Sequence, residues 1–127
     1  MRLFLVRHAE AAPGEPDDLR PLTPAGRDAA RALAQNLAGE HPEAVVSSPL
    51  LRARETAAAI AEASGIAAET DERLAPGATA DDLRAAAAGR GGTIVAVCHQ
   101  PDCTEIVFAL TGEEVRFPVG SVHEVQL

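Results

Sequence analysis

The strongest constraint in this chain is an alternation in which short apolar runs are separated by segments that open on proline and stop on glycine. Arg2 to Val6 (RLFLV) is an apolar run bounded by charge, the pattern of a buried strand. A polar loop containing Pro13, Gly14 and Pro16 follows, and Thr23-Pro24 then opens a helix, with threonine as N-cap and proline in the first turn. Ala30, Leu33, Ala34, Leu37 and Ala38 have helical spacing, and Gly39 is expected to end that helix. The pattern then repeats, with Ala44–Ser47 (AVVS) as a second strand, Ser48-Pro49 as a helix start and Gly65 as its stop. Thr79 and Asp82 form a capping box for a short alanine-rich helix that ends near Gly89. Thr93–Cys98 (TIVAVC) is a third strand, and Pro101 starts a helix that ends at Gly112. Val115, Phe117 and Val119 alternate, and Ser121–Leu127 carries the last strand.

Apolar strands alternating with helices predict an α/β fold: a three-layer α/β/α single domain over residues 1–127 with a mostly parallel central sheet. The short link from the 115–119 segment to the end predicts a last strand running antiparallel at an edge. A chain of 127 residues can bury roughly two-thirds of its unfolded surface, so one core suffices without disulfides or a structural metal. Cys98 and Cys103 make no disulfide framework, and no run of about 18 apolar residues suggests a membrane span. The first strand carries charge, unlike a signal peptide, so the expected location is cytoplasmic and the default state a monomer.

Lysine is absent and all 11 basic residues are arginine, against 19 acidic ones, for a net charge of −8. That balance argues against nucleic acid or an anionic membrane as partner, because both need a basic footprint. An anionic substrate would have to be drawn in by a local field opposing the global one.

In open α/β sheets ligands bind beyond the carboxyl ends of the strands. The first strand runs into Arg7-His8, the second into Ser47-Ser48-Pro49 with Arg52 in the following helix, and the third into His99-Gln100-Pro101. Each residue alone has an ordinary structural explanation; the arrival of two histidines and two arginines at one sheet edge is harder to explain that way. Arg52 is the most informative, because an arginine near a helix N-terminus opposes the helix dipole unless an anion sits there. Metal binding is disfavoured, since the arginines would repel a cation and the ligands are too few. Phosphoryl transfer fits: arginine forks match phosphate oxygens, helix N-termini offer N–H groups, and a neutral imidazole attacks a phosphate without adding negative charge. No Walker loop is present.

LVRHAEA at 5–11, LTPAG at 22–26, SSPLLRARETA at 47–57 and HQPD at 99–102 together resemble the histidine phosphatase superfamily, which includes phosphoglycerate mutases. The compact length, RPLTPAG at 20–26, LAPGA at 74–78 and GSVHEVQL at 120–127 are most similar to its SixA-type phosphohistidine phosphatases. The resemblance implies that His8 is the nucleophile, that Arg7 and Arg52 hold the phosphoryl oxygens, and that His99 stabilises charge on the same group. It makes Gln100 (through its backbone N–H), Ser48, Thr23 and Glu10 further substrate-binding candidates. No metal or other cofactor is implied. The nucleophile's second ring nitrogen should be held by a backbone carbonyl or similar acceptor.

Two departures from the family pattern matter. In mutase-like members a carboxylate after the second helix protonates the leaving oxygen, whereas Pro76 stands at that place in Glu72-Arg73-Leu74-Ala75-Pro76. Glu72, Asp81, Asp82 and Glu10 are substitutes without a secure match. A missing acid favours a phosphoramidate, whose imidazole can leave neutral, over an ester that needs a proton worth ~10²–10⁴-fold in rate. The second departure is Cys98, an oxidisable sulfur where the family often has Gly or Ser. The expected substrate is therefore phosphohistidine in a protein; the alternatives are a small phosphate ester and a non-catalytic phosphate- or phosphoprotein-binding module.

Overall fold

The computed structural model describes residues 1–127. Five strands form one sheet: β1 (Arg2–Arg7), β2 (Ala44–Ser47), β3 (Ala68–Thr70), β4 (Thr93–Cys98) and β5 (Val122–Gln126). Four helices connect them: α1 (Pro24–Ala38), α2 (Leu51–Ser64), α3 (Ala80–Ala87) and α4 (Asp102–Thr111). The spatial order is β3-β2-β4-β1-β5. All neighbours pair parallel except β1 with β5, so the expected antiparallel edge strand is present.

Strand side chains alternate between two faces, and the core divides accordingly. Leu3, Leu5, Val46, Ile94, Ala96 and Cys98 pack on one face against Leu83 of α3 and Ile106 of α4. Phe4, Val6, Val45, Val95 and Val97 pack on the other against Leu33 and Leu37 of α1 and Ala53, Ala57 and Ile60 of α2. Both faces are therefore apolar, which is why the central strands read as continuous hydrophobic runs. This is the three-layer α/β/α arrangement the sequence predicts.

The helix signals act largely as expected. Thr23 Oγ1 accepts from the Gly26 N–H at 2.9 Å, and Thr79 with Asp82 forms a complete capping box. Three details differ. Gly39 keeps a right-handed helical conformation, and the left-handed residue that turns the chain is His41, with φ 53°. The second helix begins at Leu51, not at Ser48-Pro49, with Leu50 as an N-cap that makes no side-chain capping bond. The alternating segment 115–119 is a loop in which only Phe117 is buried, its carbonyl accepting from Arg7 Nη1 at 2.9 Å. Strand β3 has no apolar signal to betray it, since all three of its residues are exposed at the sheet edge.

Gly26 lies where α1 crosses the backbone of Glu10, and a Cβ there would overlap the Glu10 carbonyl oxygen. Alanine is the better helix former by about 1 kcal/mol, yet the overlap should dominate. Gly26→Ala is expected to lower stability by roughly 1–3 kcal/mol in urea unfolding, as overpacked sites do. An unchanged or raised midpoint would contradict this close approach.

Candidate active site

The register of three parallel strands brings the candidate residues together. Arg7 pairs with Cys98 and Ser47 with Val97, so β1, β4 and β2 end almost level. Backbone bonds continue one residue past the strands: His8 N–H donates to the Cys98 carbonyl at 3.2 Å and Ser48 N–H to the Val97 carbonyl at 3.0 Å. His8 and His99 consequently sit side by side, with ring centroids 5.3 Å apart.

A recess of about 310 Å³ opens over them, lined by Arg7, His8, Glu10, Arg20, Arg52, His99 and Gln100, with Ala11 and Val119 at its sides. The recess thus brings together Arg7, His8, Arg52, His99, Gln100 and Glu10. Ser48 and Thr23 do not line the recess. Ser48, a substrate-binding candidate by resemblance, is fully buried and lies 2.7 Å from His99 Nε2. Thr23 caps α1 and donates from Oγ1 to Glu10 Oε1 at 2.7 Å. The Gln100 side chain is occupied with Thr104 at the start of α4, while its backbone N–H takes no backbone partner.

His8 Nδ1 lies 2.7 Å from the Ala9 carbonyl oxygen. A carbonyl only accepts, so Nδ1 carries the proton and Nε2 keeps its lone pair, the condition a nucleophilic imidazole requires. Burial, together with the positive charges of Arg52, Arg7 and Arg20, lowers the His8 pKa, against the opposing pull of the Ala9 bond. Burial and then neighbouring His8 and Arg52 push His99 down to about 4. Both rings are therefore neutral at pH 7.

The two arginines are held differently. Arg7 is anchored to the Phe117 carbonyl, and its Nε is buried with no protein partner. Arg52 donates from Nη1 to the Asp17 carbonyl at 3.0 Å and from Nη2 to Asp17 Oδ2 at 3.3 Å. Asp17 also takes Arg20 Nε on its Oδ1 at 3.0 Å, and Arg52 foremost holds its carboxyl below the usual range. The anion expected beside Arg52 is thus supplied within the chain by Asp17. Sequence reasoning assigned no role to Asp17, in a short 3-10 turn (Asp17–Leu19) without periodicity, or to Arg20. The signal that could have found Arg20 was its place as the first residue of RPLTPAG.

The motif letters not read as chemistry have structural work. Thr56, one turn after Arg52, donates to the Arg52 carbonyl at 2.8 Å and accepts from the Ala9 N–H at 3.0 Å, tying α2 to the nucleophile segment. Buried Asp102 of the HQPD segment accepts from the N–H groups of Gly77 at 2.8 Å and Ala78 at 3.2 Å, pinning the loop that follows Pro76. None of Glu72, Asp81 and Asp82 lines the recess: Glu72 is exposed in a short 3-10 turn, Asp81 pairs with Arg84, and Asp82 closes the capping box. Glu10 is the one carboxylate in the lining.

Cys98 and Cys103 are free and fully buried. Cys103 beside it, reinforced by burial, raises the Cys98 pKa well above its ordinary value. The reactive form of a cysteine is the thiolate, and it is suppressed here. No group of three or more His, Cys, Asp or Glu residues is arranged to hold a metal ion. Three guanidinium groups and two neutral imidazoles instead make a lining suited to a tetrahedral oxyanion.

The family model of the histidine phosphatase superfamily (branch 1) matches residues 3–76. An uncharacterized protein of Picosynechococcus sp. is 37% identical over 136 residues, covering 96% of this chain and 82% of its own length. The protein histidine phosphatase SixA, solved with tungstate, superposes with a TM-score of 0.85 at 28% identity, over 100% of this chain and 88% of its own. A candidate phosphohistidine phosphatase SixA from Agrobacterium tumefaciens gives 0.81 at 29% identity, over 97% and 89% of the two chains.

A reaction that uses the His8 lone pair ends when Nε2 is protonated. Because the His8 pKa is lowered from 6.5, the acid limb of a kcat/KM–pH profile is expected to be centred below pH 6.5. A limb centred above that value would contradict the buried, arginine-flanked environment.

Proposed function

The chain belongs to the histidine phosphatase superfamily, and from that membership we propose that it is a phosphatase that carries the phosphoryl group on His8 and acts on phosphohistidine in a protein. The observation that carries the reading is the His8 ring itself, with Nδ1 locked to a carbonyl and Nε2 free in a recess walled by Arg7, Arg20 and Arg52.

The steps follow from that geometry. The substrate's phosphoryl oxygens lie against the arginine forks, which neutralise their charge. The Nε2 lone pair of His8 attacks phosphorus in line, forming one P–N bond as the substrate's P–N bond breaks. The departing imidazole takes the bonding pair and leaves neutral if its other nitrogen already bears a proton. His8 then carries the phosphoryl group on Nε2 while Nδ1–H stays on the Ala9 carbonyl. Water attacks phosphorus, the P–Nε2 bond breaks with its pair returning to Nε2, and inorganic phosphate leaves as dihydrogen phosphate carrying both protons of that water.

Transfer between two imidazoles exchanges like bond for like, so it needs no strong acid. The lining supports this substrate class, because the loop after Pro76 contributes no carboxylate. The protein histidine phosphatase SixA among its structural neighbours points the same way. One observation favours a second reading, a small phosphate ester: Glu10 lies in the lining, where it could protonate a leaving alkoxide.

Incubation with a phosphohistidine-labelled protein and with p-nitrophenyl phosphate, with and without chelator, separates these readings. Rapid loss of phosphohistidine with weak ester cleavage, unaffected by chelator, is expected. The reverse preference supports ester hydrolysis with Glu10 as acid, and binding of phosphate without turnover supports a non-catalytic module. His8→Ala should abolish turnover and trapping of the phosphoenzyme. Arg52→Ala should lower kcat by ~10²–10³, the usual loss when a donor to developing charge is removed. A His8→Ala variant with full activity rejects the nucleophile assignment.

A further inference from the structure

Ser48 is a fully buried polar residue that does not touch the recess, yet its hydroxyl is 2.7 Å from His99 Nε2. Its oxygen also accepts from the Leu50 backbone N–H at 3.2 Å. A hydroxyl has one proton to give and two acceptor positions. The Leu50 N–H can only donate, so it uses an acceptor position and leaves the Ser48 proton free.

The His99 ring, neutral at pH 7, has two tautomers. If Nε2 bore the proton, Ser48 would accept from it as well as from Leu50. The Ser48 proton would then have no protein acceptor, and a buried donor left unpaired forfeits its hydration without compensation. The same tautomer would leave His99 Nδ1 a bare lone pair, and this atom is buried without a protein partner. If Ser48 donates to Nε2 instead, its hydroxyl is fully used and the ring proton lies on Nδ1. The one unpartnered nitrogen of His99 then becomes a donor. A donor is what an anion between Arg7 and Arg52 calls for; a lone pair would repel it.

We propose that Ser48 is a positioning residue that holds His99 in its Nδ1–H form, so that His99 donates a hydrogen bond to the transferred phosphoryl group while remaining uncharged. The two histidines then share one tautomer, reached by opposite means. At His8 the Ala9 carbonyl accepts at Nδ1 and leaves a lone pair on Nε2, while at His99 a hydroxyl donates at Nε2 and leaves a proton on Nδ1. One ring becomes the nucleophile and the other a donor without any difference in charge. This rests on the reading of the recess as the phosphoryl site.

Long-range 1H–15N correlation spectra of the full chain at pH 7, with the His99 signals assigned by comparison with His99→Gln, read the tautomer directly. Wild type is expected to show a protonated Nδ1 and a pyridine-like Nε2 at His99; the reverse pattern overturns the proposal. Ser48→Ala should move His99 toward the Nε2–H form. It should also lower kcat by about tenfold or more with little change in KM, short of the ~10²–10³ for deleting a transition-state donor outright. Ser48→Thr should restore both tautomer and rate. A fall in kcat without a change of tautomer, or a changed tautomer with unchanged kcat, overturns the positioning role. The wild-type spectrum decides even if neither variant folds. It also separates the two ideas, because the tautomer is read whether or not any phosphate is turned over.

Discussion

Everything at this site depends on the parallel register of β2, β4 and β1 at their carboxyl ends. The strands finish level, and their hydrogen bonding runs one residue further, into His8 and Ser48. A slip of one residue in any of them would turn its side chains to the opposite face and send a site residue into the core. Such a slip is opposed by the two apolar layers, since Leu3 and Leu5 would exchange places with Phe4 and Val6 on opposite faces of the sheet. The packing that stabilises the fold is also what aligns the two histidines.

The electrostatics of the recess run against those of the whole. In a chain of net charge −8, three arginines face one recess, and burial keeps both imidazoles neutral beside them. Arg52 stands in the first turn of α2, at the positive end of the helix dipole. Asp17, in an exposed 3-10 turn, supplies the opposing negative charge. Neutral histidines beside fixed cations are a useful combination: the cations attract a phosphoryl group, and the rings meet it without having to lose a proton first.

Several motif letters carry no chemistry of their own and hold the chemistry in place. Gly26 lets α1 lie against Glu10; Thr56 ties Arg52 to Ala9; Asp102 fastens the loop beyond Pro76 to α4. Reading these letters as chemistry or as packing requires their partners, and each partner is distant in the chain. Ser48 illustrates the difficulty. The family resemblance made it a substrate-binding candidate, and its hydroxyl faces a histidine 51 residues away.

The sequence by itself determined the four helices, every strand but β3, and the antiparallel last strand, and it singled out Arg7, His8, Arg52 and His99 by their strand-end positions. Hydrophobic periodicity, proline and glycine punctuation and strand-end position are local signals, and local signals survive without the fold. Tertiary structure alone decided that Asp17 answers Arg52, that Arg20 joins the lining and that Glu72, Asp81 and Asp82 stay outside it. It also made a loop of 115–119, where Phe117 gives its side chain to the core and its carbonyl to Arg7. The physical reason is the same throughout. Which hydrogen-bond partner a polar group finds depends on which segments the packing brings within about 3 Å, and no periodicity in the chain encodes that distance.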